Sequence, residues 1–168
     1  MKSVHGFFEL IAALTLILCL SGCASATLQV EKAVPAPPTQ PISLTLGAAE
    51  GVQLSAEDMN NLRAMIVDSL AWEGGLRVGS NNQFKVIGTV TRYDPGVRFL
   101  RPLIGPGYFD STWIVLDEND KEIGKAQIDG SVYSGRYGGS YDKVLEKVGE
   151  RLTEFLTKLH HEAPRPTR

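Results

Sequence analysis

Lys125-Ala126-Gln127-Ile128-Asp129-Gly130-Ser131-Val132 is the stretch from which the fold can be worked out. Ala126, Ile128, Gly130 and Val132 alternate with Lys125, Gln127, Asp129 and Ser131, and a period of two is turned into one apolar and one polar face by a β-strand. A strand with one wet face predicts an antiparallel sheet covered by helices on a single side. Just upstream, Asp117-Glu118-Asn119-Asp120-Lys121 reads as a polar reversal. Before it, Ser111 to Leu116 makes another strand, with Trp113 and Val115 on one face and Ile114 and Leu116 on the other.

Further upstream, Phe84 to Tyr93 is rich in β-branched and aromatic residues, which suit a pleated surface. Asp94-Pro95-Gly96 ends it. Ile42-Ser43-Leu44-Thr45-Leu46 alternates as well and predicts a strand that stops at Gly47. Between these two strands, Ser55 is placed as an N-cap with Glu57 and Asp58 in the first helical turn, where negative charge favours the helix dipole. Met59, Leu62, Met65, Ile66, Ser69 and Leu70 then share one face, and Gly74-Gly75 stops the helix.

Downstream of the quoted stretch, Ser140 suits an N-cap and Asp142 the first turn of a last helix. Tyr141, Val144, Leu145, Val148, Leu152, Phe155, Leu156 and Leu159 form its apolar stripe, with Lys143, Glu146, Lys147, Glu150, Arg151 and Glu154 opposite. The order β-α-β-β-β-α predicts an α+β two-layer sandwich, in which two helices lie on one face of a sheet of about four mainly antiparallel strands. A loop insertion precedes the third strand.

The chain has 168 residues, 43% hydrophobic and 21% charged, with a formal net charge of −2. This is the composition of one globular domain and offers no surplus of positive charge for nucleic acid. At the N-terminus, Lys2 is followed by an apolar run from Phe7 to Leu20 and then by Ser21-Gly22-Cys23. That is the plan of an export signal, and the run is short of the ~20 residues a spanning helix needs. Of the two cysteines, Cys19 falls inside the leader and Cys23 survives cleavage. Pro35-Ala36-Pro37-Pro38-Thr39-Gln40-Pro41 favours extended polyproline geometry. The expected organisation is therefore a signal peptide over 1–22, a tether over 23–41, the α+β domain over 42–161 and a tail over 162–168.

Little in the sequence points to catalysis. Once the leader is gone, the histidines are His160 and His161 at the end of the last helix, so the body of the domain lacks the base of a Ser-His-Asp relay and the nitrogen ligands of a zinc site. Ser140-Tyr141-Asp142-Lys143 spells S-x-x-K, but the S-D-N and K-T-G partners of serine-lysine acyl enzymes are missing. Arg92 to Phe109 is long for a loop in a compact domain, and its arginines and aromatic residues match the composition of interfaces. Arg92, Arg98, Phe99, Arg101, Tyr108 and Phe109 are its candidate partner contacts.

Leu20-Ser21-Gly22-Cys23 resembles the lipobox of bacterial lipoproteins. That resemblance implies cleavage between Gly22 and Cys23, lipidation of Cys23 and an anchor in the membrane; beyond that covalent lipid no cofactor is expected, and the lack of histidine and free cysteine in the domain leads to no expected metal. Ala24, where an aspartate would signal inner-membrane retention, implies the outer membrane facing the periplasm. Arg92-Tyr93-Asp94-Pro95-Gly96, the basic aliphatic loop to Gly107, Asp120-Lys121-Glu122-Ile123-Gly124, and Gly130-Ser131-Val132 through Gly138-Gly139 resemble an uncharacterised group of envelope lipoproteins, a domain of unknown function. This resemblance implies fold and address but transfers no activity. The expectation is a non-enzymatic interaction or accessory module of the cell envelope with a protein partner. The alternatives are a carrier or sensor of a lipid or glycan fragment in a pocket between sheet and helices, and a hydrolase using Ser140 and Lys143.

Overall fold

The computed structural model describes residues 24–38, 41–80, 84–95, 107–132 and 141–158. The leader, Cys23, Arg98, Phe99, Arg101, Ser140, both terminal histidines and the tail lie outside the described residues. Among the described residues seven elements follow one another: β1 (Ala24–Lys32), β2 (Ser43–Ala48), α1 (Ala56–Gly74), β3 (Lys85–Asp94), β4 (Gly107–Leu116), β5 (Glu122–Val132) and α2 (Tyr141–Thr157). The sheet order is β1-β5-β4-β3-β2.

The α+β class and the two helices are as expected, and two details are corrected. The sheet has five strands, because Ala24–Lys32, read as part of the tether, pairs antiparallel with β5 from Ala24↔Val132 inward. The tether reading fails over the following residues too, since Val34 is fully buried. The second correction is that β2 and β3 run parallel. A strand–helix–strand connection brings the chain back to the end from which it started, so β2-α1-β3 is a crossover unit and its two strands share one direction. The other pairings are antiparallel, and the sheet is mixed.

The helix boundaries follow the sequence chemistry. Ser55 caps α1, accepting from the Asp58 backbone N–H at 3.0 Å while its hydroxyl donates to the Asp58 carboxylate at 2.6 Å. Gly75 closes the helix in the left-handed conformation, φ 62°, which costs a glycine nothing. Leu62, Ile66 and Leu70 of α1 and Val144, Val148, Leu152, Phe155 and Leu156 of α2 are buried in the core.

The inner sheet face is set by parity. Val86 and Val90 of β3, Phe109, Trp113 and Val115 of β4, and Ala126, Ile128 and Val132 of β5 are all buried. Trp113 is the largest fully buried side chain, and it fits because Gly88 lies across from it: a Cβ there would stand 2.4 Å from the indole. The indole N–H donates to Ser111 Oγ at 2.9 Å, and Ser111 donates onward to the Ile128 carbonyl at 3.2 Å. The buried polar atoms of this pair are thus partnered. The other sheet face carries no helix in the described structure, and what it displays determines the candidate site.

Candidate functional site

The site depends on a β-bulge. Through β3 and β4 the register runs Lys85↔Leu116 to Val90↔Ser111, and then shifts so that Arg92 pairs with Asp110 and Tyr93 with Phe109. Thr91 is the extra residue. Were Thr91 paired in a regular ladder, Arg92 would fall on the inner face beneath the helices; because Thr91 bulges out, Arg92 joins the other face and Tyr93 turns inward. Re-aiming a side chain in this way is what bulges commonly do near functional surfaces.

Pairing across four strands then lines up Arg92, Asp110, Asp129 and Thr27 in one row. The neighbouring row is Asp94, Tyr108, Ser131 and Ser25. The Arg92 guanidinium lies 3.8 Å from the centre of the Tyr108 ring, a stacked cation–π contact. Gln127 Nε2 donates to Asp129 at 2.9 Å, and the hydroxyls of Ser25 and Ser131 share a 3.1 Å hydrogen bond. Together Thr27, Arg92, Tyr108, Asp110, Asp129 and Ser131 border a shallow cleft of about 250 Å³.

Two carboxylates directly opposite on adjacent strands repel each other. Burial first, and then the charge of Asp129, hold the Asp110 carboxyl above the usual aspartate range, while Arg92 pulls it back down. The stack is braced from behind: Tyr141 of α2 donates its hydroxyl to the Tyr108 carbonyl at 3.1 Å, and its ring meets Tyr93 edge-on at 5.6 Å. Tyr93 is pushed up to about 12, by burial and then by the charge and hydrogen bond of Asp58.

The predicted contact residues separate accordingly. Arg92 and Tyr108 come together on the open face. Phe109 is a correction, because it is fully buried. β4 begins at Gly107, four residues before the expected start at Ser111, and one step of parity from Tyr108 sends Phe109 into the core. Asp110 and Asp129 were not singled out, and their pairing depends on a register that the sequence does not state. Lys143, the lysine of the S-x-x-K stretch, is exposed on α2.

A second feature lies on the opposite side of the molecule. Trp72 of α1 is 92% exposed, beside a groove of about 650 Å³ between the helices where Asp68, Glu73, Asp142 and Glu146 outnumber Lys143. Among the described residues, no group of three histidine, cysteine, aspartate or glutamate side chains is placed to hold a metal, and no helix is long and apolar enough to cross a membrane.

No protein-family model matches the sequence, and no curated protein matches it. Solved structures do share the fold. PelC from Paraburkholderia phytofirmans, a dodecamer, superposes with a TM-score of 0.54 at 11% identity, covering 81% of this chain and 99% of that one. XCC0632 from Xanthomonas campestris, of the DUF330 family, gives 0.51 at 12% identity, covering 73% of this chain and 87% of that one. A minor lipoprotein from Acinetobacter baumannii gives 0.40 at 14% identity, covering 68% and 90%. The domain-of-unknown-function kinship read from the residues is thus met, at the level of fold, by a DUF330 protein among the structural neighbours of this chain.

Proposed function

We propose that this chain is an acyl-anchored lipoprotein of the bacterial envelope, held through Cys23 in the outer membrane on its periplasmic side, and that it works as a non-enzymatic interaction module. The observation that carries the interaction reading is the Arg92–Tyr108 stack beside the Asp110–Asp129 pair, on the sheet face that carries no helix among the described residues. Arginine and tyrosine are the side chains most often found at the energetic centre of interfaces. Here they are prearranged, with their backbone braced by Tyr141. The lipobox-like Leu20-Ser21-Gly22-Cys23 supports the address, and the fold shared with PelC and the DUF330 protein is compatible with it.

The test is photocrosslinking in intact cells from position 112, on the same open face, in the parent protein and in an Arg92→Ala, Tyr108→Ala double variant. A partner captured by the parent and lost from a folded, membrane-associated variant is the expected result. Equal capture by both would overturn the assignment of this face. In parallel, Cys23→Ser should abolish incorporation of an alkyne-labelled fatty acid, and retained label would overturn the anchor.

Trp72 favours a second reading, assembly with copies of itself. An indole this exposed loses apolar burial unless something covers it, and PelC, which shares the fold, is a dodecamer. Sedimentation of the mature domain and of Trp72→Ala decides the matter: a dissociated variant supports self-assembly, and a monomeric parent removes it.

A further inference from the structure

We infer that the domain stands directly on the bilayer, with the end of the sheet marked by Ala24, Val132 and Gly107 against the lipid surface. The inference rests on the lipidation of Cys23 proposed above and adds what the fold imposes on it. Cys23 is followed at once by β1, whose first residue, Ala24, is already paired with Val132. There is no spacer. One residue spans at most ~3.6 Å, so a cysteine whose acyl chains lie in the bilayer brings the end of β1 to the headgroup layer. Pairing with β5 along the length of β1 then fixes the rest of the domain in relation to that point.

The same end gathers other parts of the fold. Val132 pairs with Gly107 as well as with Ala24. A Cβ on Gly107 would stand 3.1 Å from the carbonyl oxygens of both Asp94 and Pro95, so the close of β3 lies here too. The strands are ~4.8 Å apart, which carries this end about 14 Å sideways from β1 to Asp94. α2 starts here, since Tyr141 reaches Tyr108 and Tyr93. Three tyrosines, Tyr93, Tyr108 and Tyr141, together with Arg92, therefore lie within a few residues of the anchoring end, and these side-chain types are enriched at membrane–water interfaces. Among the described residues Glu57, Asp58, Asp94 and Asp142 lie toward this end as well, so covalent attachment is what holds the domain down, not a surplus of positive charge on those residues.

The orientation bears on the candidate site. The row containing Arg92, Asp110 and Asp129 is three residues in from Ala24, or ~10 Å along the strand. The interfacial layer of each leaflet is ~5–8 Å deep, so the cleft opens at its outer boundary. The partner that reaches it does so at the membrane surface.

Any cysteine introduced into the mature chain can be labelled selectively, because Cys23 is the one natural cysteine left and its sulfur is acylated. Acylated full-length Asp94→Cys and Asn119→Cys proteins carrying an environment-sensitive fluorophore are reconstituted into vesicles of phosphatidylethanolamine and phosphatidylglycerol, 3:1, with a nitroxide-headgroup lipid. Asn119 sits in the turn beyond the far end of β4, a strand that places it ~30 Å from the lipid. The expected result is at least threefold stronger quenching at 94 than at 119, unchanged by high salt. Inserting about 20 Gly/Ser residues between Cys23 and Ala24, a coil of ~25 Å, should remove the difference while flotation with vesicles persists. Equal quenching in a protein that floats overturns the orientation and leaves the anchor standing. A protein that does not float overturns the anchor, and the orientation with it. A difference that survives the spacer shows that attachment distance does not set it, and also overturns the inference.

Discussion

Val34 separates a folded N-terminal segment from a hanging one. On a free stalk it would be bathed in water, and truncating it would change nothing measurable. In the structure it is fully buried, with its Cγ2 only 2.6 Å from the position of a Cβ built on Gly124 of β5. Val34→Ala removes two buried carbons, about 1.6 kcal/mol at ~0.8 kcal/mol per carbon. The hole left behind raises this to about 2–3 kcal/mol, a large share of a domain stability of roughly 5–15 kcal/mol.

The reciprocal change sharpens the test. Gly124→Ala pushes its methyl into Val34 and to within 3.2 Å of Phe155 Cζ, an overpacking that costs about 1–3 kcal/mol. In the double variant the truncated residue 34 vacates the space that the new methyl needs, and the 3.2 Å approach to Phe155 remains. The two changes should therefore fall short of additive by about 1–2 kcal/mol, within the range seen for residues in contact. Urea unfolding of the four proteins, followed by tryptophan fluorescence from buried Trp113, measures the cycle. If Val34→Ala lies within ~0.5 kcal/mol of the parent and the two changes add, then residues 24–38 are not packed as described. The absence of a spacer behind Cys23 would go with them.

Two pH predictions follow from the groups around the site. Tyr93 is raised to about 12 in the folded state against ~10 in the unfolded chain. Its contribution to stability is therefore complete below about pH 10 and lost as the pH rises through about 12. Asp58→Asn should shift the Tyr93 absorbance titration downward, read as the difference between Tyr93 and Tyr93→Phe backgrounds; an unmoved titration would refute the contact. Asp110 is likewise an acid whose folded value is raised, so its share of stability is complete below the ordinary aspartate range and is lost as the pH rises through the higher folded value. Asp129→Asn should move the Asp110 carboxyl resonance in a carbon NMR titration toward lower pH, and Arg92→Ala should move it higher. Shifts in the opposite directions would refute the row Arg92–Asp110–Asp129.

Much of the fold could be read from periodicity, because the helical stripes and the alternation of β5 each have one physical solution. Leu62, Ile66 and Leu70 lie where the spacing of three and four puts them, and Ser55 and Gly75 cap α1 as their chemistry requires. β1 was missed although its signal is present: Ala24, Ala26 and Leu28 alternate with Ser25, Thr27 and Gln29. Alanine and leucine are weak strand formers, and the proline cluster nearby made a tether the simpler reading. Alternation in small residues becomes legible only when a neighbour such as β5 supplies the other half of the pairing. The parallel β2–β3 pair was implicit in the order strand, helix, strand. The polar face of β5 argues for an antiparallel sheet instead, and that argument holds for β5 itself.

The site was less legible for a different reason. Which of Arg92 and Tyr93 faces outward depends on whether a single residue, Thr91, bulges out of the ladder or pairs within it, and a bulge leaves no mark in composition or periodicity. Shifting parity by one exchanges a surface arginine for a buried one and breaks the stack on Tyr108. In β4, the same arithmetic put Phe109 in the core instead of on the surface. Forcing a regular ladder through Thr91 would set two preferences against each other: pairing would favour a regular β3, while burial would forbid a guanidinium on the inner face without a partner, whereas deleting Thr91 would leave Arg92 opposite Asp110 on the outer face. The second is the stronger, at several kcal/mol against about one for a ladder hydrogen bond. The bulge is therefore held in place by the side chains on both sides of it, apolar residues to Val90 within and Arg92 without. A reading that kept β3 regular through Thr91 would assign the wrong face to every position from Arg92 to Asp94.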